Sequence, residues 1–127
     1  MASKVSVHPR VRSAMVSRQR ELGRVGGVVL DGRDIGTVVF PDAELKIFLT
    51  ATPQTRAARR LAQQGSSGDR VAVAEEAERL AARDQADSTR SIAPLARAAD
   101  AVELDTTELD FDEQVACIVA LARSRGY

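Results

Sequence analysis

The stretch Val28-Val29-Leu30-Asp31-Gly32-Arg33-Asp34-Ile35-Gly36-Thr37 decides how this 127-residue chain is read. Three apolar residues run straight into a polar turn punctuated by glycine. A short unbroken apolar run predicts a strand buried on both faces. In open α/β sheets the ligand crevice lies at the carboxyl ends of the strands. The turn places Asp31, Arg33 and Asp34 there with Gly32 and Gly36. Two carboxylates and a guanidinium suit a phosphate, a metal-bound water and the polar edge of a ligand. An ordinary strand-to-loop turn holding an Asp–Arg ion pair would use the same residues.

Outward from this stretch, helix and strand patterns alternate. Pro9 to about Leu22 reads as a helix, with Pro at the first position and Val11, Met15, Arg18 and Leu22 at helical spacing. Gly23, Gly26 and Gly27 end it. Leu45 to Leu49 is a second strand. Thr52-Pro53 supplies an N-cap and first residue for a helix to about Gln63. The segment from Gln63 to Asp69, rich in Gly and Ser, is a loop between two helices. Val71 to about Asp87 is helical, Ala101 to Asp105 is a third strand, and Phe111 to Arg123 is a last helix. That helix carries Phe111, Val115, Ile118, Val119 and Ala122 on one stripe. Buried strands alternating with helices predict an α/β fold with a parallel sheet.

The hydrophobic fraction, 44%, and the charged fraction, 28%, are those of a globular domain and argue against disorder or coiled coil. No apolar run approaches the ~20 residues of a membrane helix, and the N-terminus lacks a signal-type apolar stretch. The single cysteine, Cys117, forms no internal disulfide and reads as core or near-core. The expected compartment is the reducing cytoplasm. His8 reads as a capping or surface residue rather than a metal ligand. Net charge is zero, yet residues 1–60 carry 11 Lys+Arg against 5 Asp+Glu, and residues 61–127 carry 7 against 13. A basic half in a neutral chain suits a small anion better than nucleic acid. Sixteen of the 18 cations are Arg, which favours bidentate contact with phosphate. Codon bias explains that total equally well, since 21 alanines accompany it, but not where each arginine sits.

Two further constellations stand out. Arg83, Asp87 and Arg90 are spaced i, i+4, i+7, so a continuing helix puts them on one face. They suit a sugar-phosphate clamp, although a solvated ion-pair face is the commoner outcome of such spacing. Arg56, Arg59 and Arg60 share a face of the preceding helix, where a polyphosphate or nearby Asp or Glu would relieve their repulsion. Thr106-Thr107 after the third strand forms a turn or touches a nucleotide.

In this order these segments resemble bacterial cytidylate kinase, a nucleoside monophosphate kinase of the P-loop class. The matching residues are Pro9-Arg10-Val11-Arg12, Arg18-Gln19-Arg20, and the 13-residue run Asp31 to Ala43. Leu45 to Ala51, Arg56 with Arg59-Arg60, and Arg83-Asp84 with Asp87, Ser88 and Arg90 follow. Ala93-Pro94-Leu95 and Asp105-Thr106-Thr107 complete the match. The resemblance implies transfer of the γ-phosphoryl of ATP to CMP or dCMP, with Mg²⁺. It implies that Ser3, Arg12 and Asp34 read cytosine and that Arg33 clamps the CMP phosphate. Asp87 would hold sugar hydroxyls between Arg83 and Arg90, and Arg56, Arg59 and Arg60 would face ATP. Asp31 would orient a magnesium-bound water, touching metal through water only, and Asp31, Arg33 and Arg90 form the catalytic set.

The implied fold is a partial kinase domain. Residues 1–27 end the CMP-binding region, 28–62 hold core strands and a helix, 63–71 form a short lid, and 72–127 supply the C-terminal core. In the family's strand order, 2-3-1-4-5, residues 28–30, 45–49 and 101–105 would be strands three, four and five. The central first strand and its P-loop are missing. Only Lys4 and Lys46 occur, after Ser3 and Leu45, so no Gly-x-x-x-x-Gly-Lys-[Ser/Thr] loop is present. The expected partners are CMP, dCMP and ATP, with no nucleic acid and no membrane, and a monomer when full length. Such a chain is expected to be inactive alone. The alternative is a non-catalytic nucleotide-binding subunit, or a CMP-sensing module, that needs a separate P-loop chain.

Overall fold

The computed structural model describes residues 8–66, 68–91 and 94–127. It is an α/β arrangement: a two-stranded parallel sheet with flanking helices. Strand β1 (Ile47–Thr50) pairs with β2 (Val102–Asp105), register Ile47 to Val102 and Thr50 to Asp105. The ladder continues as the Val102 N–H donates to the Lys46 carbonyl and the Thr106 N–H to the Thr50 carbonyl, 2.9 and 2.8 Å. Strand β2 falls inside its predicted segment, one residue shorter at the start, whereas β1 starts two residues after Leu45 and ends one residue past Leu49.

Local chemistry fixes the helix ends. Helix α1 (Pro9–Gly23) begins on proline, whose missing N–H costs nothing there. Gly26 and Gly27 then turn the chain at positive φ, 77° and 65°. Gly23 closes the helix where a Cβ would come within 2.3 Å of the Phe40 ring. In helix α2 (Pro53–Gln63), the Thr52 hydroxyl accepts from the Thr55 N–H. In helix α3 (Arg70–Ser88), Asp69 accepts from the Ala72 N–H at 2.8 Å. Helix α4 (Phe111–Ser124) opens with a reciprocal capping box between Asp110 and Glu113. Helices α2 and α3 pack along their lengths, and Ala57 and Ala77, small enough for close approach, are buried.

One expectation fails. Val28-Val29-Leu30 is not a strand, and Val29 is 96% exposed. An apolar run becomes a buried strand only when a neighbouring ladder satisfies its backbone. No described residue pairs with it, because the sheet holds β1 and β2 alone. The stripe on α4 also lies open: Phe111, Val115 and Val119 are exposed, and no residue of that helix is buried. Spacing assigns an apolar face to a helix; a covering surface must come from elsewhere. Cys117 on this helix is half-buried.

The polar turn ends in a feature that the sequence reading lacks. Ile35–Val39 forms a single π-helical turn, with the Val39 N–H donating to the Asp34 carbonyl and the Phe40 N–H to the Ile35 carbonyl. Arg20 of α1 holds it by donating to the Val38 and Val39 carbonyls at 2.7 and 3.0 Å. Val39 is buried beneath. The turn follows directly on Arg33 and Asp34, and such turns are frequent at functional sites.

Candidate functional site

Asp87 is 2% exposed and lies near the end of α3. Burying a carboxylate requires paired cations. Arg90, three residues on, pairs with its Oδ1. Arg33, from the loop after Leu30, brings Nε to 3.0 Å from Oδ2, and Arg83 Nε stands 3.9 Å away. The Arg33 N–H is not aimed at that oxygen, so Oδ2 accepts no hydrogen bond among the described residues. The result is a buried carboxylate oxygen that is charge-compensated and still free to accept.

A second carboxylate one turn earlier extends the cluster. Asp84 accepts from Arg33 Nη1 at 3.3 Å and from Arg56 of α2. The Arg56 hydrogen bond, with further help from Arg33, holds the Asp84 carboxyl below the usual carboxylate range, and the same contact raises Arg56. Arg56, Asp84, Arg33, Asp87 and Arg90 therefore alternate in sign along one ladder, with a cation at each end. The sequence reading singled out four of these residues. Asp84 stands in the sequence as part of the matching run Arg83-Asp84, without a role of its own.

Beside the ladder, Arg12 of α1 forms an ion pair with Asp34, both side chains mostly covered. Asp31 is exposed in the loop. Among the described residues no group of three or more His, Cys, Asp or Glu could hold a metal ion. Magnesium keeps several of its own waters, so a lone carboxylate such as Asp31 fits it at one remove. Ser3 lies outside the described residues.

The three arginines of α2 diverge. Arg56 joins the ladder. Arg59 donates to the Thr106 hydroxyl at 3.0 Å and to the carbonyls of Thr106 and Leu109 at 2.5 and 2.8 Å. Arg60 pairs with Glu76 of α3 at 3.1 Å. Thr106 is buried, with its hydroxyl donating to the Thr50 carbonyl, and the Thr107 hydroxyl donates to Asp105. The Thr106-Thr107 pair thus ties β2 to β1 and to α2.

Guanidiniums from the loop, from α3 and from the segment after it thus surround the Asp87 carboxylate, and Arg56 of α2 reaches the neighbouring Asp84. A sequence model of the family described as cytidylate kinase matches residues 1–124. The chain belongs to the cytidylate kinase family. It is 51% identical over 123 residues to a cytidylate kinase of Anoxybacillus flavithermus, covering 97% of this chain and 55% of that protein. It is 51% identical over 124 residues to a cytidylate kinase of Chloroherpeton thalassium, covering 94% and 53%. A bifunctional pantoate ligase/cytidylate kinase of Synechococcus is 52% identical over 122 residues, covering 95% and 24%. The chain thus spans about half the length of the single-function cytidylate kinases it matches. The Arg33–Asp87–Arg90 cluster and the Arg12–Asp34 pair both lie within the matched region of this cytidylate kinase family chain.

Proposed function

We propose that this chain forms the CMP-holding side of a cytidylate kinase, a partial nucleoside monophosphate kinase fold without its central first strand. The reaction is phosphorylation of CMP or dCMP to the diphosphate by ATP. A CMP phosphate oxygen forms the new bond to the γ-phosphorus as the bond to ADP breaks. Residues 1–27 close the CMP region, 28–62 and 72–127 provide the core, and 63–71 serve as a short lid. The observation that carries this reading is the buried, unpartnered Oδ2 of Asp87 within its arginine cluster. A ribose hydroxyl supplies the missing donor, and the long arginine side chains over it yield to a ligand.

The roles are those that the family resemblance implies. Arg33 and Arg90 grip phosphate, with Arg83 at the edge. Arg12 and Asp34 meet the base, where a carboxylate accepts from the cytosine amino group and finds no donor at the uracil oxygen. Ser3 joins them. Mg²⁺ arriving with ATP would neutralise phosphate charge, with Asp31 orienting one of its waters. Arg56, Arg59 and Arg60 would face ATP, as the family resemblance implies.

The 127 residues contain no phosphate-cradling Gly-x-x-x-x-Gly-Lys loop. Phosphoryl transfer depends on positioning and electrostatics at the β- and γ-phosphates, so this chain alone binds CMP without turning ATP over. The same observation favours a second reading, a nucleotide-binding subunit working with a separate P-loop chain. Titration calorimetry with CMP, dCMP and UMP, alongside an ADP-release assay, tests both. CMP should bind in preference to UMP with no ADP formed. Absence of CMP binding overturns the site, and ADP formation overturns the inactivity.

A further inference from the structure

Asp84 has no part in the roles assigned above, yet it joins the Arg33 loop to α2. Its Oδ1 takes Arg33 Nη1 from the loop, and its Oδ2 takes Arg56 Nη1 from α2. Asp84 is three-quarters covered, whereas Arg56 is about one-third exposed. Two guanidiniums on flexible arms repel one another and lose considerable rotamer freedom when fixed. A carboxylate between them offsets the repulsion and fixes both before any ligand is present. Ordering contacts in advance is what strengthens binding without adding contacts.

We propose that Asp84 is a positioning residue that holds Arg33 and Arg56 at one point, so that a nucleotide's phosphate group meets two guanidiniums already ordered. This rests on the nucleotide reading above. Arg56 thereby becomes part of the grip on the monophosphate, not of the ATP side alone. Asp84 itself stays one layer behind: it touches arginine and the arginines touch phosphate.

The test compares the 127-residue chain with Asp84→Asn and Asp84→Glu. Calorimetry reads affinity for CMP and for cytidine, which lacks the phosphate. Nitrogen-15 relaxation reads the order of the Arg33 and Arg56 Nε–H groups. Asp84→Asn should free Arg56 and loosen Arg33 to a smaller degree, because Asp87 still faces its Nε, weaken CMP about tenfold, as for one charge-assisted hydrogen bond, and leave cytidine unchanged. Asp84→Glu should recover part of the loss. An equal loss for CMP and cytidine, no loss, or tighter CMP binding overturns the inference. If Asp84→Asn does not fold, Asp84→Glu decides, since its longer arm should displace both guanidiniums and weaken CMP alone. If the parent binds neither CMP nor cytidine, the nucleotide reading fails, and inorganic phosphate then decides. A phosphate affinity lowered by Asp84→Asn keeps the inference; an unchanged or absent one overturns it.

Discussion

Arg12 and Asp34, 22 residues apart in sequence, close on each other as an ion pair with side chains only 15% and 12% exposed. The pair ties α1 to the loop that carries Arg33. It also means that the carboxylate proposed to read cytosine is already held by a cation. Removing one member of a covered pair strands the other's charge, which costs more than the pair contributes. Arg12→Ala and Asp34→Ala should each destabilise the fold, and the double variant by less than their sum. A coupling of about 1–3 kcal/mol is expected from urea unfolding of the four proteins. Strict additivity would show that the pair is not formed in solution. In binding, Asp34→Ala should erase the preference for CMP over UMP, and Arg12→Ala should erode it by releasing Asp34 from its place.

Stability should also report the Asp84 contacts through pH. The carboxyl is held below its ordinary value of 3.8, first by the Arg56 hydrogen bond. An acid whose folded pKa is depressed contributes stability that is present above its unfolded pKa. That contribution is lost as pH falls through the lower folded value. Asp100, beside Lys46, and Asp105, beside Thr107, shift in the same direction but are exposed and weigh little. The melting temperature should therefore drop between about pH 5 and pH 2. Asp84→Asn, with no proton to gain at that site, should show a shallower drop over the same window. Parallel curves for the two proteins would remove Asp84 from the acid response.

Arg59 offers a sharp separation of structural from ligand-facing roles. Its guanidinium donates to one hydroxyl and two carbonyls in the segment after β2. A lysine ammonium cannot reproduce that planar fork. Arg59→Lys should cost about 1–3 kcal/mol in urea unfolding while leaving CMP affinity within about twofold of the parent, as expected for a change remote from a ligand. Arg56→Lys should do the reverse, weakening CMP with little loss of stability, because its partner Asp84 keeps Arg33. Loss of CMP affinity in Arg59→Lys at unchanged stability would place Arg59 at the ligand instead.

What the sequence made legible, and what it did not, divides along physical lines. Helix ends were readable because caps are local: Thr52-Pro53 and Gln63 bound α2 where expected, and α3 starts one residue before Val71. The i, i+4, i+7 spacing of Arg83, Asp87 and Arg90 brought them together because the helix carries the first two and its last turn leads to the third. The exposure of Val28 and Val29 and of the α4 stripe was not readable, since an apolar pattern states a preference and not the presence of a cover. Nor was the parting of Arg56, Arg59 and Arg60. Adjacent residues on one helix point about 100° apart, and the register of α2 against α3 and β2 alone decides which neighbour each meets. The π-helical turn at Ile35–Val39 left no signal in the apolar spacing at all.

The unpartnered oxygen of Asp87 makes the most direct claim on function. Its Oδ1 is taken by Arg90, and its Oδ2 has Arg33 Nε at 3.0 Å without an aimed N–H. If a ribose hydroxyl completes that oxygen, affinity must depend on the hydroxyls and on the carboxylate jointly. The parent should bind CMP about tenfold more tightly than 2′,3′-dideoxy-CMP, the scale of one hydrogen bond to a charged acceptor. Asp87→Asn keeps the size of the side chain but removes its charge, and its amide turns one oxygen into a donor. In that variant the advantage of CMP over the dideoxy nucleotide should shrink to about twofold or less, with CMP itself weakened. General damage to the cluster is separated by the same comparison. Freed of their counter-charge, Arg33 and Arg90 would disturb both nucleotides alike, through the phosphate they share. The ratio of the two affinities therefore isolates the contact with sugar from the contacts with phosphate. A ratio unchanged between parent and Asp87→Asn, however much both affinities fall, would assign Asp87 to holding the arginines and not to the sugar.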